Sequence, residues 1–165
     1  MVDNLQTLAE YASNAGVLMV IEPMSRFRTH LINTPEQAMR LVEAADHPNL
    51  RITLDTYHMV TEVRDYGAAI SATLPKLWGV HACESDRGVP GGGLVPWDRV
   101  CDALLKSDHT IRIMFETYNT AIDDFAFSRG LFQDVCPNPE RFVEIGMTFL
   151  KRALAEAAER AGSLV

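Results

Sequence analysis

The sequence has 165 residues, of which 15 are Lys or Arg and 22 are Asp or Glu, so that its formal net charge is −7. Its hydrophobic fraction of 47% is typical of a folded chain rather than a disordered one. The acidic balance argues against nucleic-acid binding, which requires clustered Lys and Arg. The longest apolar run, residues 15–21, is shorter than the roughly 20 residues that cross a membrane, so we expect no membrane partner.

The three cysteines, Cys83, Cys101 and Cys136, cannot all pair within one chain, and their spacing matches no zinc motif. We therefore expect reduced thiols, which are typical of a cytoplasmic protein. The first four residues carry neither the positive charge nor the apolar stretch of a secretory signal, which also favours the cytoplasm.

Strand and helix patterns alternate along the chain. An apolar run at 17–21 predicts a fully buried parallel strand. Thr34, followed by Pro35 and Gln37, predicts a helix start with a capping box. The predicted strands are 17–21, 51–54, 77–80 and 111–115, and the predicted helices are 3–15, 35–46, about 65–74, 97–106 and about 139–161.

This alternation predicts an α/β fold with parallel (β/α) units. The repeat length of about 25–35 residues is that of a (β/α) barrel, which needs eight units and about 250 residues. The sequence supplies about half of such a TIM-type barrel, roughly four of the eight units. We expect residues 1–165 to form a single partial barrel domain with a long C-terminal helix at about 139–161.

A side chain that can bind a metal ion stands at the end of each predicted strand. These side chains are Glu22, Asp55, His81 and Glu116. The carboxyl ends of parallel strands meet at one edge, where three carboxylates repel one another unless protons or a cation neutralise them. An oxygen-rich set with one His favours Mn²⁺, Co²⁺ or Mg²⁺ over a structural zinc. The alternative is that polar residues end strands because loops begin there.

Short motifs around these strand ends follow one another in a characteristic order. They include Ile21-Glu22-Pro23, His30-Leu31-Ile32-Asn33-Thr34, Leu54-Asp55-Thr56-Tyr57-His58, Val80-His81-Ala82-Cys83-Glu84, Val89-Pro90-Gly91-Gly92-Gly93 and Phe115-Glu116. Over residues 17–117 the sequence resembles the C-terminal half of the xylose-isomerase-like sugar isomerases and epimerases. Within that family it is most similar to the ketose 3-epimerases of the tagatose/psicose group.

The resemblance implies a role for each site residue. One divalent metal ion would be held by the four strand-end residues, of which Glu22 and Glu116 would also form an acid/base pair on opposite faces of a sugar. One of the two removes a proton beside the carbonyl and the other returns one, through a cis-enediolate stabilised by the metal. His58 and Arg87 would hold substrate oxygens. From the residues alone, a His58 bonded to backbone and a local Arg87–Asp86 ion pair remain alternatives.

Two departures from the family pattern affect the substrate. The related epimerases have a Glu six residues after the first metal ligand, where this sequence has Arg28. Arg28 suits an anionic substrate such as a sugar phosphate or carboxylate, because Arg forks onto such groups. The alternative is that Arg28 points to solvent. The second departure is that the first four (β/α) units are absent.

The predicted function is therefore a metal-dependent isomerase or epimerase of a small sugar or sugar phosphate. Two alternatives are a non-catalytic half-barrel remnant or fragment, and a lyase of the inosose-dehydratase type on the same scaffold. A barrel nuclease is disfavoured by the acidic charge and by only five scattered His. Because a half barrel leaves sheet edges unpaired, we also predict a homo-oligomer. The irregular segment 118–137 is expected to close the site or cover a partner.

Overall fold

A computed structural model of the chain describes residues 1–118, 125 and 127–162. The strands are β1 (Met19–Ile21), β2 (Leu50–Asp55), β3 (Leu77–His81) and β4 (Arg112–Met114). The α-helices are α1 (Val2–Asn14), α2 (Pro35–Ala45), α3 (Thr56–Glu62), α4 (Tyr66–Thr73), α5 (Trp97–Leu104) and α6 (Pro139–Gly162). Two 3₁₀ turns lie at Leu74–Lys76 and Phe127–Arg129.

The four strands form one parallel sheet in the order β1-β2-β3-β4. Each strand is followed by at least one helix before the chain returns to the sheet, as parallel pairing requires. The register places Asp55 opposite His81 and His81 opposite Met114, so that the carboxyl ends of β2, β3 and β4 lie side by side. The predicted α/β half-barrel is thereby confirmed.

The helices cover the apolar side chains of the two central strands. Ile52 and Leu54 of β2 and Val80 of β3 are at most 1% exposed, and they join one core with residues of α2, α4 and α5. The capping box predicted at Thr34 is present, since the Thr34 hydroxyl accepts a hydrogen bond from the backbone N–H of Gln37. No helix of the described residues is both long enough and apolar enough to span a membrane.

The prediction of a fully buried first strand is wrong. The observed β1 is only three residues long, and Val20 at its centre is 39% exposed. The physical reason is its position, because β1 pairs only with β2 and is an outer strand of the described sheet. Its apolar sequence is that of a strand covered on both sides, and here one side is open.

Helix α3 is absent from the sequence prediction. It is a helix of seven residues that begins directly after β2, with Asp55 as its N-cap. The Asp55 carboxylate accepts a hydrogen bond from the backbone N–H of Tyr57 at 2.8 Å. This N-cap bond gives Asp55 a local structural role besides any role in a site. The helix escapes prediction because seven residues are too few to show a clear hydrophobic period.

The long C-terminal helix is observed as predicted. The helical period of its sequence predicts an apolar stripe of Phe142, Ile145, Phe149, Ala153 and Ala157. Phe142, Ala153 and Ala157 are buried as predicted, whereas Ile145 is 41% exposed and Gly146 and Leu150 join the buried face. At Gly146 the helix approaches Phe115 so closely that an added Cβ would lie 2.8 Å from the ring. The ring of Phe142 packs edge-to-face on Phe115 at a centroid distance of 5.7 Å.

We predict that Phe142→Ala lowers the free energy of unfolding by about 3–5 kcal/mol, because it empties a buried aromatic site between α6 and the sheet. Phe142 is 3% exposed. Val143→Ala is the matched control, since Val143 follows Phe142 in the same helix but is 48% exposed, so that its truncation removes little buried surface. Urea denaturation followed by circular dichroism measures both, and equal losses in the two variants would contradict the packing described here.

Candidate active site

The four predicted metal-binding side chains converge at the carboxyl edge of the sheet. Glu22 follows β1, Asp55 ends β2, His81 ends β3 and Glu116 stands two residues beyond β4. One potential ligand atom from each of the four lies within 4.8 Å of all the others. His81 Nδ1 is 3.0 Å from Glu116 Oε2 and 3.2 Å from Glu22 Oε1. We call these four residues the ligand cluster.

The ligand cluster fits a divalent cation by its chemistry and by its spacing. It presents three carboxylates and one imidazole, a set rich in the hard oxygen donors that Mn²⁺ and Mg²⁺ prefer. Carboxylates gathered this closely also require positive charge nearby. Asp55 is buried, and the other three members are half-buried, so that the cluster is fixed on one side and open on the other.

The charges within the ligand cluster are strongly coupled. Hydrogen bonds to Glu116 and Glu22 raise the pKa of the His81 imidazole to about 10. The His81 contact in turn lowers the pKa of Glu116 to about 2. Burial raises the pKa of Asp55, whereas the positive charge of Arg87 opposes that rise. In the metal-free chain, a protonated His81 therefore supplies part of the positive charge that holds the carboxylates together.

Arg87 and His58 lie directly behind the ligand cluster. Arg87 is 1% exposed, donates from Nη1 to Asp55 Oδ2, and its Nη2 lies 3.3 Å from His58 Nε2. The alternative pairing of Arg87 with Asp86 is therefore wrong, because the guanidinium turns inward to the buried carboxylate. The alternative of a His58 bonded to backbone is also wrong, since its Nδ1 is buried without a hydrogen-bond partner.

Arg28 is half-buried, and its side chain crosses to the segment that follows β4. Its Nη2 donates to the backbone carbonyl of Arg129 at 2.9 Å. The interpretation of Arg28 as a purely solvent-facing residue is therefore wrong. A cavity of about 440 Å³ lies at this point, and its walls are Met24, Arg28, His58, Tyr118, Ser128 and Arg129.

Two further residues of the site, Tyr118 and Glu84, are not among the site residues predicted from the sequence. Tyr118 donates from its hydroxyl to Glu116 Oε1 at 3.0 Å, and its only sequence signal is its place two residues after a predicted ligand. Glu84 is 2% exposed and accepts hydrogen bonds from Trp97 Nε1 at 2.6 Å and from the backbone N–H of Gly91 at 2.7 Å. Glu84 thus organises the loop after β3 rather than facing solvent.

Only part of the irregular segment 118–137 can be compared with its prediction. Residues 119–124 and 126, which include Asp123 and Asp124, lie outside the described residues. Within the described part, Arg129 and Ser128 form one wall of the cavity beside His58. This portion of the segment therefore borders the site.

Comparison with known proteins defines the family. A family model described as a xylose isomerase-like TIM barrel matches residues 1–159. The chain belongs to this family. It is 29% identical over 152 residues to a probable ketose 3-epimerase of Synechocystis sp., covering 92% of this chain and 53% of the relative. It is 32% identical over 117 residues to the D-psicose 3-epimerase of Agrobacterium fabrum, covering 71% of this chain and 40% of the relative.

The solved structure of an L-ribulose 3-epimerase has the same arrangement of xylose isomerase-like (β/α) units. It superimposes with a TM-score of 0.92 at 27% identity, covering 99% of this chain and 56% of that chain. The sequence-based family prediction is thereby confirmed. The chain spans about half the length of the relatives it matches.

We predict that metal binding at pH 7 releases about one proton, because His81 must lose the proton that its raised pKa of about 10 retains. The sign follows directly: protons compete with the metal below that pKa, so metal affinity rises from pH 6.5 towards 10. Calorimetric titration with Mn²⁺ in buffers of different ionisation enthalpy measures the number of protons. His30→Gln, which replaces an exposed histidine outside the ligand cluster, is the control and leaves the number of released protons unchanged. Metal binding by the unaltered chain without proton release would contradict this account.

Proposed function

We propose that this chain is a divalent-metal-dependent isomerase or epimerase that acts on a ketose or ketose phosphate by removing and returning a proton. The observation that carries the proposal is the convergence of three carboxylates and one imidazole, within 4.8 Å of one another, at the strand ends. The xylose isomerase-like relatives support it, because they include ketose and D-psicose 3-epimerases. The names of these relatives suggest epimerisation as the class of reaction, and the ligand cluster supplies carboxylates for proton transfer and donors for a metal ion.

Glu22 and Glu116 are the proposed acid/base pair. They follow β1 and β4, the two outer strands of the described sheet, so that a sugar carbon seated between them meets a carboxylate on either face. One carboxylate accepts the proton from the carbon beside the carbonyl, and the other returns a proton to the opposite face. A carboxylate alone is a weak base for a carbon acid. A divalent cation in the ligand cluster would supply the positive charge that acidifies this C–H bond.

His58 and Arg87 are proposed to contact substrate oxygens or to position the groups that do. His58 lines the cavity beside the ligand cluster, and its Nδ1 has no hydrogen-bond partner. Burial lowers the pKa of His58, so that its imidazole is neutral at pH 7. Arg87 fixes the Asp55 carboxylate by a buried ion pair, which sets the orientation of one member of the ligand cluster.

The open edges of the half barrel support a homo-oligomer as the working form. Within the described residues, β1 and β4 each pair with a strand on one side only, and unpaired backbone groups recruit further strands. Val17 and Val20, near the free edge of β1, are 56% and 39% exposed. We propose that a second copy covers these edges and walls the site. The free, buried Cys83 and Cys101 support action in a reducing compartment such as the cytoplasm.

Manganese binding is the first test of the proposed function. We predict about one Mn²⁺ per chain in calorimetry on metal-stripped protein, and loss of binding in Asp55→Asn, which removes a buried negative charge while keeping the side-chain shape. Asp98→Asn, an exposed acid on α5, is the control and retains binding. Absence of Mn²⁺ binding by the unaltered chain would contradict the proposal and favour an inert scaffold or a fragment.

Turnover tests the acid/base roles. We predict that Glu116→Gln lowers kcat for any ketose that the chain epimerises by about a hundredfold or more, because an amide cannot accept the proton. D-psicose, D-tagatose and L-ribulose are the substrates to assay, with proton exchange from solvent deuterium as a second readout. Glu144→Gln, an exposed position on α6, is the control. Unchanged turnover and exchange in Glu116→Gln would refute the assignment.

Light scattering on the eluate of a sizing column tests the assembly. We predict a mass that is a multiple of the 18.4 kDa chain. Val20→Lys, which places a charge in the outer strand β1, shifts the protein towards the single-chain mass because charged residues block edge pairing. Leu94→Lys is the control, since Leu94 is 75% exposed on a loop away from the strands. A single-chain mass for the unaltered protein at all concentrations would contradict the homo-oligomer.

A further inference from the structure

Two arginines from distant parts of the chain face one cavity beside the ligand cluster. Arg28 lies in the loop after β1, and Arg129 lies in the 3₁₀ turn at Phe127–Arg129, 101 residues further on. Both line the cavity of about 440 Å³ that also contains the side chain of His58. This volume is within the range of small-molecule sites in proteins, about 300–1,000 Å³.

Neither arginine has a carboxylate partner among the described residues. Arg28 donates to the backbone carbonyl of Arg129 at 2.9 Å, and Arg129 donates from Nη1 to the backbone carbonyl of Phe125 at 3.2 Å. The Arg129 guanidinium also stacks on the Phe125 ring, with its central carbon 3.4 Å from the ring centroid. These contacts fix the side chains, and within the described part of the chain they neutralise neither charge, so that two guanidinium groups face the cavity with N–H donors still available.

A third, independent observation points to a ligand at the same place. His58 is 2% exposed, and its Nδ1 is buried without a hydrogen-bond partner. An unpaired buried polar atom costs free energy unless a ligand or water satisfies it. His58 borders the cavity that the two arginines face, so an occupant of the cavity lies next to all three residues.

The cavity adjoins the ligand cluster through two of its walls. Tyr118, one of its walls, donates to Glu116 Oε1 at 3.0 Å. His58, another wall, contacts Arg87 at 3.3 Å, and Arg87 pairs with Asp55. A molecule whose reacting carbons lie between Glu22 and Glu116 can therefore extend past Tyr118 and His58 towards the arginines.

We infer that Arg28, supported by Arg129, forms a subsite for an anionic group, phosphate or carboxylate, on the ketose. This inference rests on the proposed function for the sugar part of the ligand. A guanidinium binds either anion through paired, charge-assisted hydrogen bonds, and a neutral hydroxymethyl group leaves both charges unmatched. The substrate class is then a ketose phosphate or a keto-sugar acid rather than a free ketose.

Calorimetry on the Mn²⁺-loaded chain tests the subsite with D-fructose, D-fructose 6-phosphate and D-fructuronate as probes. We expect one or both anionic probes to bind about tenfold or more tightly than D-fructose, and Arg28→Gln to remove most of that preference. The anionic probe that binds more tightly shows whether the subsite prefers phosphate or carboxylate. Arg26→Gln is the control, because Arg26 is exposed and pairs with Glu62 outside the cavity.

Equal affinity for D-fructose and both anionic probes would overturn the subsite, as would an equal loss of affinity in Arg28→Gln and Arg26→Gln. Circular dichroism of each variant confirms folding. Arg129→Gln is a second variant in the same cavity, and we expect it to lose less affinity for the anionic probes than Arg28→Gln does.

Titration of inorganic phosphate into metal-free protein separates the subsite from the proposed metal-dependent function. Arg28-dependent phosphate binding without Mn²⁺ binding would support the subsite and contradict the metal-dependent function. Mn²⁺-dependent turnover of free ketoses with no preference for anionic probes would support the metal-dependent function and contradict the subsite.

Discussion

The mutual repulsion of three carboxylates at one sheet edge is the constraint on which the rest of the site depends. Glu22, Asp55 and Glu116 are brought within a few ångströms because parallel pairing aligns the strand ends. Two positive groups of the chain offset this charge: a His81 whose pKa is raised to about 10, and Arg87 in its buried ion pair with Asp55. His81 has to release its proton before it can serve as a ligand, whereas Arg87 keeps its charge throughout.

The need to bury Arg87 explains the loop after β3. Arg87 has a backbone φ of +70°, which is unusual for a residue with a side chain, and its backbone N–H and carbonyl bond to Glu84 and Thr117. Glu84 in turn accepts bonds from Trp97 and from the backbone of Gly91. The loop thus encloses one buried carboxylate, that of Glu84, and one buried guanidinium, that of Arg87. A change at Glu84 would therefore reach the ligand cluster through the position of Arg87.

The sequence predicts the strands, most helices and the convergence of the ligand cluster, because strand-end position depends only on parallel order. It does not predict the exposure of β1, since an apolar run is the same whether or not a neighbouring strand covers it. The partner of Arg87 also escapes prediction. The adjacent Asp86 is nearer in sequence, but the buried Asp55 gains more from a positive charge because screening by water is weaker there. Arg129 required the fold, since nothing in its local sequence refers to Arg28. The only sequence signal for Tyr118 is its place two residues after Glu116, which does not show that the two side chains are hydrogen-bonded.

The charge balance of the site also links the two arginines to the metal. With a dication in the ligand cluster and His81 neutral, the three carboxylates are matched by the cation and Arg87 together. Arg28 and Arg129 then remain as net positive charge on the wall of the cavity. Without the metal, the positive charges of His81 and Arg87 do not fully balance the three carboxylates, and the positive charges of these two arginines then help to stabilise them. An anionic group on the substrate therefore balances the charge more fully when the metal is present, so that binding of metal and anion are expected to reinforce each other.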